Sequence, residues 1–378
     1  MNRILVINSG SSSVKYRLFD GDRTADRGIV EQIGEPGGDA TDHDRALRQV
    51  LDRLDLAGLA AVGHRVVHGG LRFAEPTRID DAVVAAVEEL VPLAPLHNPA
   101  NLAGIAATRA LLPGLPQVAV FDTAFHRTLP EAAATYAIDA ATARRYGIHR
   151  YGFHGTSHRY VARRTAELLG RPLAEVNVIT LHLGNGASAC AVAGGRSVAT
   201  SMGLTPLEGL VMGTRSGDLD PAVVFHLHRA AGMSLDRIDE LLNHRSGLQG
   251  LAGSNDMRQL LAARAAGDPA AVLAFDVYCH RIKSYVGAYY ALLGRLDAVT
   301  FTAGVGEHAA EVRAAALAGL DRLGITVDAA RNRAPGPVAS PVVSPAGAEV
   351  AVCVVPTDEE QEIATQTRAL LAAGQGRP

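Results

Sequence analysis

The residues with the clearest chemical potential open the chain. An apolar run, Ile4-Leu5-Val6-Ile7, passes into Asn8-Ser9-Gly10-Ser11-Ser12-Ser13 and then Lys15. Small hydroxyl residues around a glycine leave backbone N–H groups open to anionic oxygens. Of the 36 basic residues only Lys15 and Lys283 are lysines, so Lys15 marks a place where a compact point charge replaces the planar arginine fork. The spacing is not that of a P-loop, because Gly-x4-Gly-Lys-Ser/Thr is absent and a strand pattern follows. A plain turn of small residues is the alternative. A second loop, His182-Leu183-Gly184-Asn185-Gly186, also follows an apolar run. Asn-Gly there reads equally as a hairpin turn.

Two arginines stand out by context. Arg65 lies in Gly63-His64-Arg65-Val66-Val67-His68-Gly69-Gly70, and Arg215 in Met212-Gly213-Thr214-Arg215-Ser216-Gly217-Asp218. Glycine-flanked guanidinium groups suit carboxylate or phosphate oxygens. Asp122 closes the run Val118 to Phe121, a position at the rim of a parallel sheet suited to metal or substrate; a loop cap is the alternative. Glu359 follows the run Val350 to Val355 and a Pro-Thr-Asp turn, where a first-turn helix role with Asp358 and Glu360 competes. His149, His154 and His158 make a zinc site conceivable, but the His-Glu-x-x-His pattern and paired cysteines are missing. Thr302-Ala303-Gly304-Val305-Gly306-Glu307 links a strand pattern to a helix pattern, a geometry common at nucleotide sites.

These residues need a scaffold of considerable size. At 378 residues two domains are the expectation. A net charge of -3 with interspersed charges excludes a nucleic-acid surface. No apolar run reaches membrane-spanning length, and the N-terminus lacks a signal-peptide pattern. Cys190, Cys279 and Cys353 are far apart in apolar surroundings and read as buried free thiols of a cytosolic protein. Strand patterns at 3–8, 14–19, 60–68, 117–121, 176–183, 188–193, 297–302 and 350–355 alternate with helix patterns at 42–56, 80–91, 99–111, 156–169, 219–231, 234–243, 256–266, 269–293, 308–323 and 358–373. That alternation predicts an α/β protein. Residues 331–347, rich in Pro, Gly and Ser, read as a surface connection. Sliding the first hairpin by 174 positions sets Gly10 on Gly184 and Gly21 on Gly195. The repeat suggests a duplicated fold with one small-residue loop per half.

The segments Leu5 to Lys15 and Gly203-Leu204-Thr205-Pro206-Leu207-Glu208-Gly209-Leu210-Val211-Met212-Gly213-Thr214-Arg215-Ser216-Gly217-Asp218-Leu219-Asp220-Pro221 resemble the two signatures of the acetate kinase (acetokinase) family. His64 to Gly70, Pro95 to Pro99, Phe121 to His126, Tyr151 to His158, His182 to Gly186, Ala303 to Glu307 and Pro356 to Glu360 resemble it too, in the family's order. Only residues 20–45 look abbreviated. The resemblance implies the duplicated actin-like (ribonuclease H-like) ATPase fold, with an active-site cleft between two domains. The first would hold 1–124 plus a returning C-terminal helix, 361–374. The second, 125–360, would carry the nucleotide site and a homodimer interface.

By the same resemblance the reaction is magnesium-dependent transfer from ATP to acetate, giving acetyl phosphate and ADP, with manganese as a substitute metal. A propionate or other short-chain acyl kinase is the alternative within the family. Neither nucleic acid nor membrane is implied as a partner. Arg65 and Arg215 would hold acetate and phosphoryl oxygens, His154 would donate to the phosphoryl group, and Asp122 would orient metal or arginine. Asn8 and Glu359 would place magnesium, with His97 and His182 in support. Val67, Leu96, Phe153 and Pro206 would line a methyl pocket. Ser11, Ser13, Lys15, His182, Leu183, Gly184, Asn185 and Gly186 would serve the phosphates, with Lys15 supporting the loop rather than touching them. Asp256, Met257, Arg258, Gly304, Val305, Gly306 and His308 would serve the adenosine. Met257 and His308 depart from the family's usual Phe and Asn, which bears on nucleotide preference. Gly304 and Val305 leave room for a base, unlike a pyrophosphate-using variant. Arg65→Ala or Arg215→Ala is expected to abolish turnover with the fold intact.

Overall fold

A computed structural model describes residues 3–10, 12–35, 37–95, 97–333 and 341–375. The chain forms two compact units. One runs to Arg127 and takes in Gly155–Ser157 and the chain from Asp358; the other holds Thr128–His154 and His158–Thr357.

The first unit is built on a six-stranded sheet: β1 (Arg3–Ser9), β2 (Val14–Asp20), β3 (Arg23–Val30), β4 (Leu59–Val66), β5 (Thr77–Arg78) and β6 (Gln117–Phe121), in the order β3-β2-β1-β4-β6-β5. The second carries β7 (Asn177–Leu183), β8 (Ala187–Ala193), β9 (Arg196–Thr200), β10 (Ala298–Thr302) and β11 (Ala351–Val354). Its order, read from the antiparallel edge, is β9-β8-β7-β10-β11. In both sheets two antiparallel pairs precede two parallel ones. The chain therefore has the duplication that the 174-residue repeat suggests and the actin-like fold that the family resemblance implies.

Alternation along the strands explains how the first unit is covered and where its polar residues emerge. Leu5 and Ile7 on one face of β1 meet Leu47 and Val50 of the helix His43–Arg53. Ile4 and Val6 on the other face pack with Val118 and Val120 of β6 and Ile363 of the helix Glu359–Gln375. Side chains two apart share a face. Continuing 4, 6 to Asn8, 61, 63 to Arg65 and 118, 120 to Asp122 brings these three polar residues to the C-terminal ends of parallel strands, on the face of the C-terminal helix. Gly63 lets that helix close down: a Cβ there would stand 2.6 Å from Thr367 Oγ1 and 2.8 Å from an Ile363 methyl. Glu359 is thereby delivered as the helix's first residue.

All eight expected strands form, and three more appear. β3 (RTADRGIV) is a largely exposed edge strand whose charged positions hide its period. β5 has only two residues, and β9 is a short return after Gly194-Gly195. The continuous helix expected over 308–323 does not form. Ala309, at φ -98° and ψ 89°, separates Ala303–His308 from Ala310–Leu317, and Gly319 turns the chain at φ +77° before the short turn Asp321–Leu323. Of the surface connection at 331–347, residues 334–340 lie outside the described residues. No described helix is long and apolar enough to cross a membrane.

Candidate active site

In the first unit Arg65 is held by carboxylates. Its Nε and Nη2 both donate to Asp122 Oδ2, at 3.0 and 2.5 Å. Its Nη1 reaches Asn8 Oδ1 at 3.4 Å, and Glu359 Oε2 lies 3.9 Å from Nε. Asp122 is 1% exposed, and its second oxygen accepts from the Thr156 hydroxyl at 2.9 Å. Burial works against the Arg65 charge, but Asp122 and then Glu359 outweigh it and hold its pKa above the usual arginine value. Glu359 shows the opposite balance. Burial raises its carboxyl to about 7, with Asp122 and Glu360 adding to the shift and Arg65 and Lys15 only partly relieving it. Lys15 is paired with Asn8 across the β1–β2 ladder, so its charge acts on this cluster from the outgoing strand.

Asn101, which sequence reasoning missed, braces the same strand ends. Its amide donates to the Ser9 carbonyl at 2.7 Å and its oxygen accepts from Val67 N–H at 3.0 Å. Ser13 closes the Gly10 turn by accepting from Gly10 N–H at 2.7 Å. His97 caps the helix Asn98–Leu111 without a side-chain cap bond. Ser11 and Leu96 lie outside the described residues.

The second unit presents its own cluster. Residues 201–221 contain no helix or strand, yet they are tightly tied, as long functional loops tend to be. Asp218 accepts from Gly209 N–H and from the Tyr285 hydroxyl, both at 2.7 Å, while Arg281 donates to the Gly209 carbonyl. A Cβ on Gly213 would stand 1.9 Å from Asn185 Oδ1, so a side chain there would have to displace the Asn185 amide where this loop meets the His182–Gly186 loop. Gly213 N–H donates to the Asn185 carbonyl at 2.9 Å. Arg215 is held by the Pro206 carbonyl at 3.2 Å. Its guanidinium is part-buried, and among the described residues no carboxylate pairs with it; burial lowers its pKa. A buried cation without a counterion is costly unless an anion arrives.

His154 completes this cluster. It adopts a left-handed backbone (φ +56°), one of three non-glycine residues to do so among those described, a conformation retained where function or packing demands it. Its ring stacks on His182 at 4.2 Å. A Cβ on Gly186 would lie 3.6 Å from His154 Nε2 and 3.6 Å from Arg215 Nη1. The missing side chain of Gly186 thus leaves a space onto which an imidazole and a guanidinium converge. Phe153 is buried beside His154 in sequence, while Val67 is buried in the first unit.

A cavity of about 480 Å³ opens in the second unit beside these loops. Of the residues expected at the adenosine and phosphates, Gly184, Asn185, Asp256, Met257, Arg258, Gly304, Val305 and His308 line it. Leu183 and Gly306 are buried instead. Asp256 caps its helix and takes the Arg258 guanidinium, and these bonds hold its carboxyl down at about 2. Asn255, Leu248 and Tyr278 also line the cavity, and no motif pointed to them. The volume suits a nucleoside.

Comparison with known proteins decides the family. The sequence profile of the acetokinase family matches residues 3–365. The chain belongs to the acetokinase family. It is 61% identical to an acetate kinase of Streptomyces coelicolor, over 98% of this chain and 97% of that protein. With an acetate kinase of Leifsonia xyli it shares 56% identity over 99% of this chain and all of that one. Among solved structures, the acetate kinase of Porphyromonas gingivalis superimposes with a TM-score of 0.92 at 42% identity, covering 98% of this chain and 100% of the other. A propionate kinase from Francisella tularensis gives 0.90 at 38%, over 97% and 99%. In the zinc-candidate stretch, His154 and His158 are bound to hydroxyls.

Proposed function

We propose that this acetokinase-family chain is an acetate kinase, transferring the γ-phosphoryl group of ATP to acetate by direct in-line attack, reversibly, to give acetyl phosphate and ADP. The observation that carries the reading is the convergence of Arg215, which no described carboxylate pairs, and His154 Nε2 on the space left by Gly186. Acetate is already ionised at neutral pH, so the acceptor needs no general base. The obstacle is repulsion between two anions and the charge developing on the transferring group, which calls for positioned donors and cations. Arg215 and His154 offer these to phosphoryl oxygens, and Arg65, aimed by Asp122, offers its fork to acetate. The resemblance to the family makes Val67, Phe153 and Pro206 the apolar residues expected at the acetate methyl group.

Asn8 and Glu359 present oxygen donors, which suit a hard divalent ion. The raised Glu359 pKa likewise fits a place where positive charge is wanted. Asn8 and Glu359 would hold magnesium, which when bound neutralises phosphate charge. The cavity of the second unit would take the adenosine, with Met257 and His308 tuning base preference. The helix Ala222–Ala231 carries Val223, Val224, Phe225 and Leu227 yet has no buried residue, which supports a second copy covering it in a homodimer. A cytoplasmic enzyme agrees with three buried free cysteines.

The similarity to a propionate kinase keeps a longer acyl substrate as the second reading. Trapping the acyl phosphate with hydroxylamine, with ATP, magnesium and acetate, propionate or butyrate in turn, separates the two. One methylene is worth about 1–3 kcal/mol in such a pocket. Higher kcat/KM with propionate overturns the acetate assignment, and no product with any acid overturns the reaction class.

A further inference from the structure

His154 does not stand alone in the second unit. The Ser188 hydroxyl on β8 lies 2.8 Å from His154 Nδ1 and 2.8 Å from His158 Nε2. His158 Nδ1 in turn lies 2.7 Å from Thr180 Oγ1 on β7. Ser188, His158 and Thr180 are all fully buried. A hydroxyl carries one proton, and a neutral imidazole carries one N–H and one lone pair. Accepting from both rings would orphan the buried Ser188 proton, so Ser188 donates to one ring and accepts from the other, and the tautomers of the two histidines are linked.

We propose that Thr180, His158 and Ser188 are positioning residues that hold His154 as its Nε2–H tautomer. The Thr180 hydroxyl donates to His158 Nδ1, His158 Nε2–H donates to Ser188 Oγ, and the Ser188 hydroxyl donates to His154 Nδ1. His154 then carries its ring proton on Nε2, the atom 3.6 Å from where a Gly186 Cβ would stand, as is Arg215 Nη1. In the opposite sense a neutral His154 would turn a lone pair toward an incoming phosphoryl oxygen, which is repulsive. Thr180 has a second acceptor, the Cys190 carbonyl, but at 3.5 Å against 2.7 Å to His158. Stacking on His182 at 4.2 Å limits rotation of the His154 ring, and the relay supplies what stacking lacks, a fixed proton position. The same logic operates where a buried partner fixes the tautomer of a catalytic histidine.

This inference rests on the reading that His154 serves the transferred phosphoryl group, and the experiment separates the two. Ser188→Ala should lower kcat about tenfold or more, with the KM for ATP and for acetate nearly unchanged. Ser188→Thr, which keeps the hydroxyl, should recover most of the loss. Two-bond ¹H–¹⁵N spectra of histidine-labelled protein with ADP bound, assigned by the signal missing in His154→Ala, should show Nε2–H in the parent and a tautomer mixture in Ser188→Ala. Unchanged kcat in folded Ser188→Ala, or His154 found as Nδ1–H in the parent, overturns the relay. Should Ser188→Ala fail to fold, the parent spectrum and Ser188→Thr decide. Undiminished kcat in His154→Ala overturns the reading of His154 itself, whereas its collapse beside an unaffected Ser188→Ala overturns the relay alone.

Discussion

Asp122 gives a single oxygen, Oδ2, to both Nε and Nη2 of Arg65, and its other oxygen to Thr156. Both oxygens are committed, so Asp122 orients the guanidinium rather than taking a proton from substrate. Removing one member of a buried pair leaves the other uncompensated, at a cost of about 3–5 kcal/mol. Arg65→Ala should therefore abolish turnover and also lower the denaturation midpoint, since Asp122 and Glu359 lose their cation. Arg65→Ala/Asp122→Ala should regain part of that stability but none of the turnover. Arg65→Lys should fold well and remain poorly active, because a point charge cannot reproduce the fork. Guanidinium denaturation beside the hydroxamate assay reads both quantities; an Arg65→Ala protein of unchanged stability contradicts the pairing argument.

Arg215 should behave differently. Burial lowers its pKa and no described carboxylate offsets the charge. Arg215→Met keeps the volume and removes a desolvated cation, so stability should change by less than about 1 kcal/mol or rise, while turnover collapses. The contrast with Arg65→Ala is the measurement: two arginines, equal loss of activity, but a lowered denaturation midpoint only for Arg65→Ala. A large stability loss in Arg215→Met would mean that the guanidinium is structural.

Glu359 makes stability depend on pH. Its carboxyl ionises near 4.5 in an unfolded chain and is raised to about 7 by burial in the folded one. The folded state thus holds the extra proton between these values. The stabilisation from this proton is complete below pH 4.5 and is lost as pH rises through 7, leaving a buried charge that costs roughly 3 kcal/mol at pH 8. Glu359→Gln should raise the melting temperature of metal-free protein at pH 8 and leave it nearly unchanged near pH 4.5. Equal shifts at both pH values would rule out a raised pKa.

The helix Ala222–Ala231 bears on assembly. Phe225 is 55% exposed and Val223 39%, on a helix with no buried residue. Phe225→Glu should convert a dimer seen by sedimentation into a monomer. Sedimentation of the parent as a monomer at micromolar concentration would remove the argument.

Much of the first cluster was legible because strand periodicity is simple. Asn8, Arg65 and Asp122 each follow a strongly apolar run, and a period of two puts them on one face. Lys15 drew attention by rarity, yet it acts through its field on Glu359 from the neighbouring strand. What stayed hidden has no local signal. Asn101, Thr156 and Ser188 are ordinary polar residues whose importance comes from partners 30 or more positions away. Tyr278 lies in the long helix Pro269–Leu293, where an aromatic residue reads as core. β3 and β5 were missed for a related reason: an exposed or very short edge strand carries no alternating pattern to read.

Gly186 offers the sharpest separation of fold from function. It is absent from the residues with left-handed backbone, so a side chain there meets no conformational penalty of the kind reserved for positive φ. An added Cβ would make ordinary contacts, at 3.6 Å from Arg215 Nη1 and from His154 Nε2 and Cε1. Gly186→Ala should fold with a melting temperature close to the parent's, since no atom is forced to move. The methyl group would nevertheless occupy the space into which both donors point and put apolar surface where phosphoryl oxygens are proposed to sit. Binding there depends on close charge-assisted hydrogen bonds, so kcat/KM for ATP should drop by about a hundredfold, as for loss of a positioned transition-state donor. Parent-like activity in folded Gly186→Ala would show that the convergence over Gly186 is not where the phosphoryl group is held.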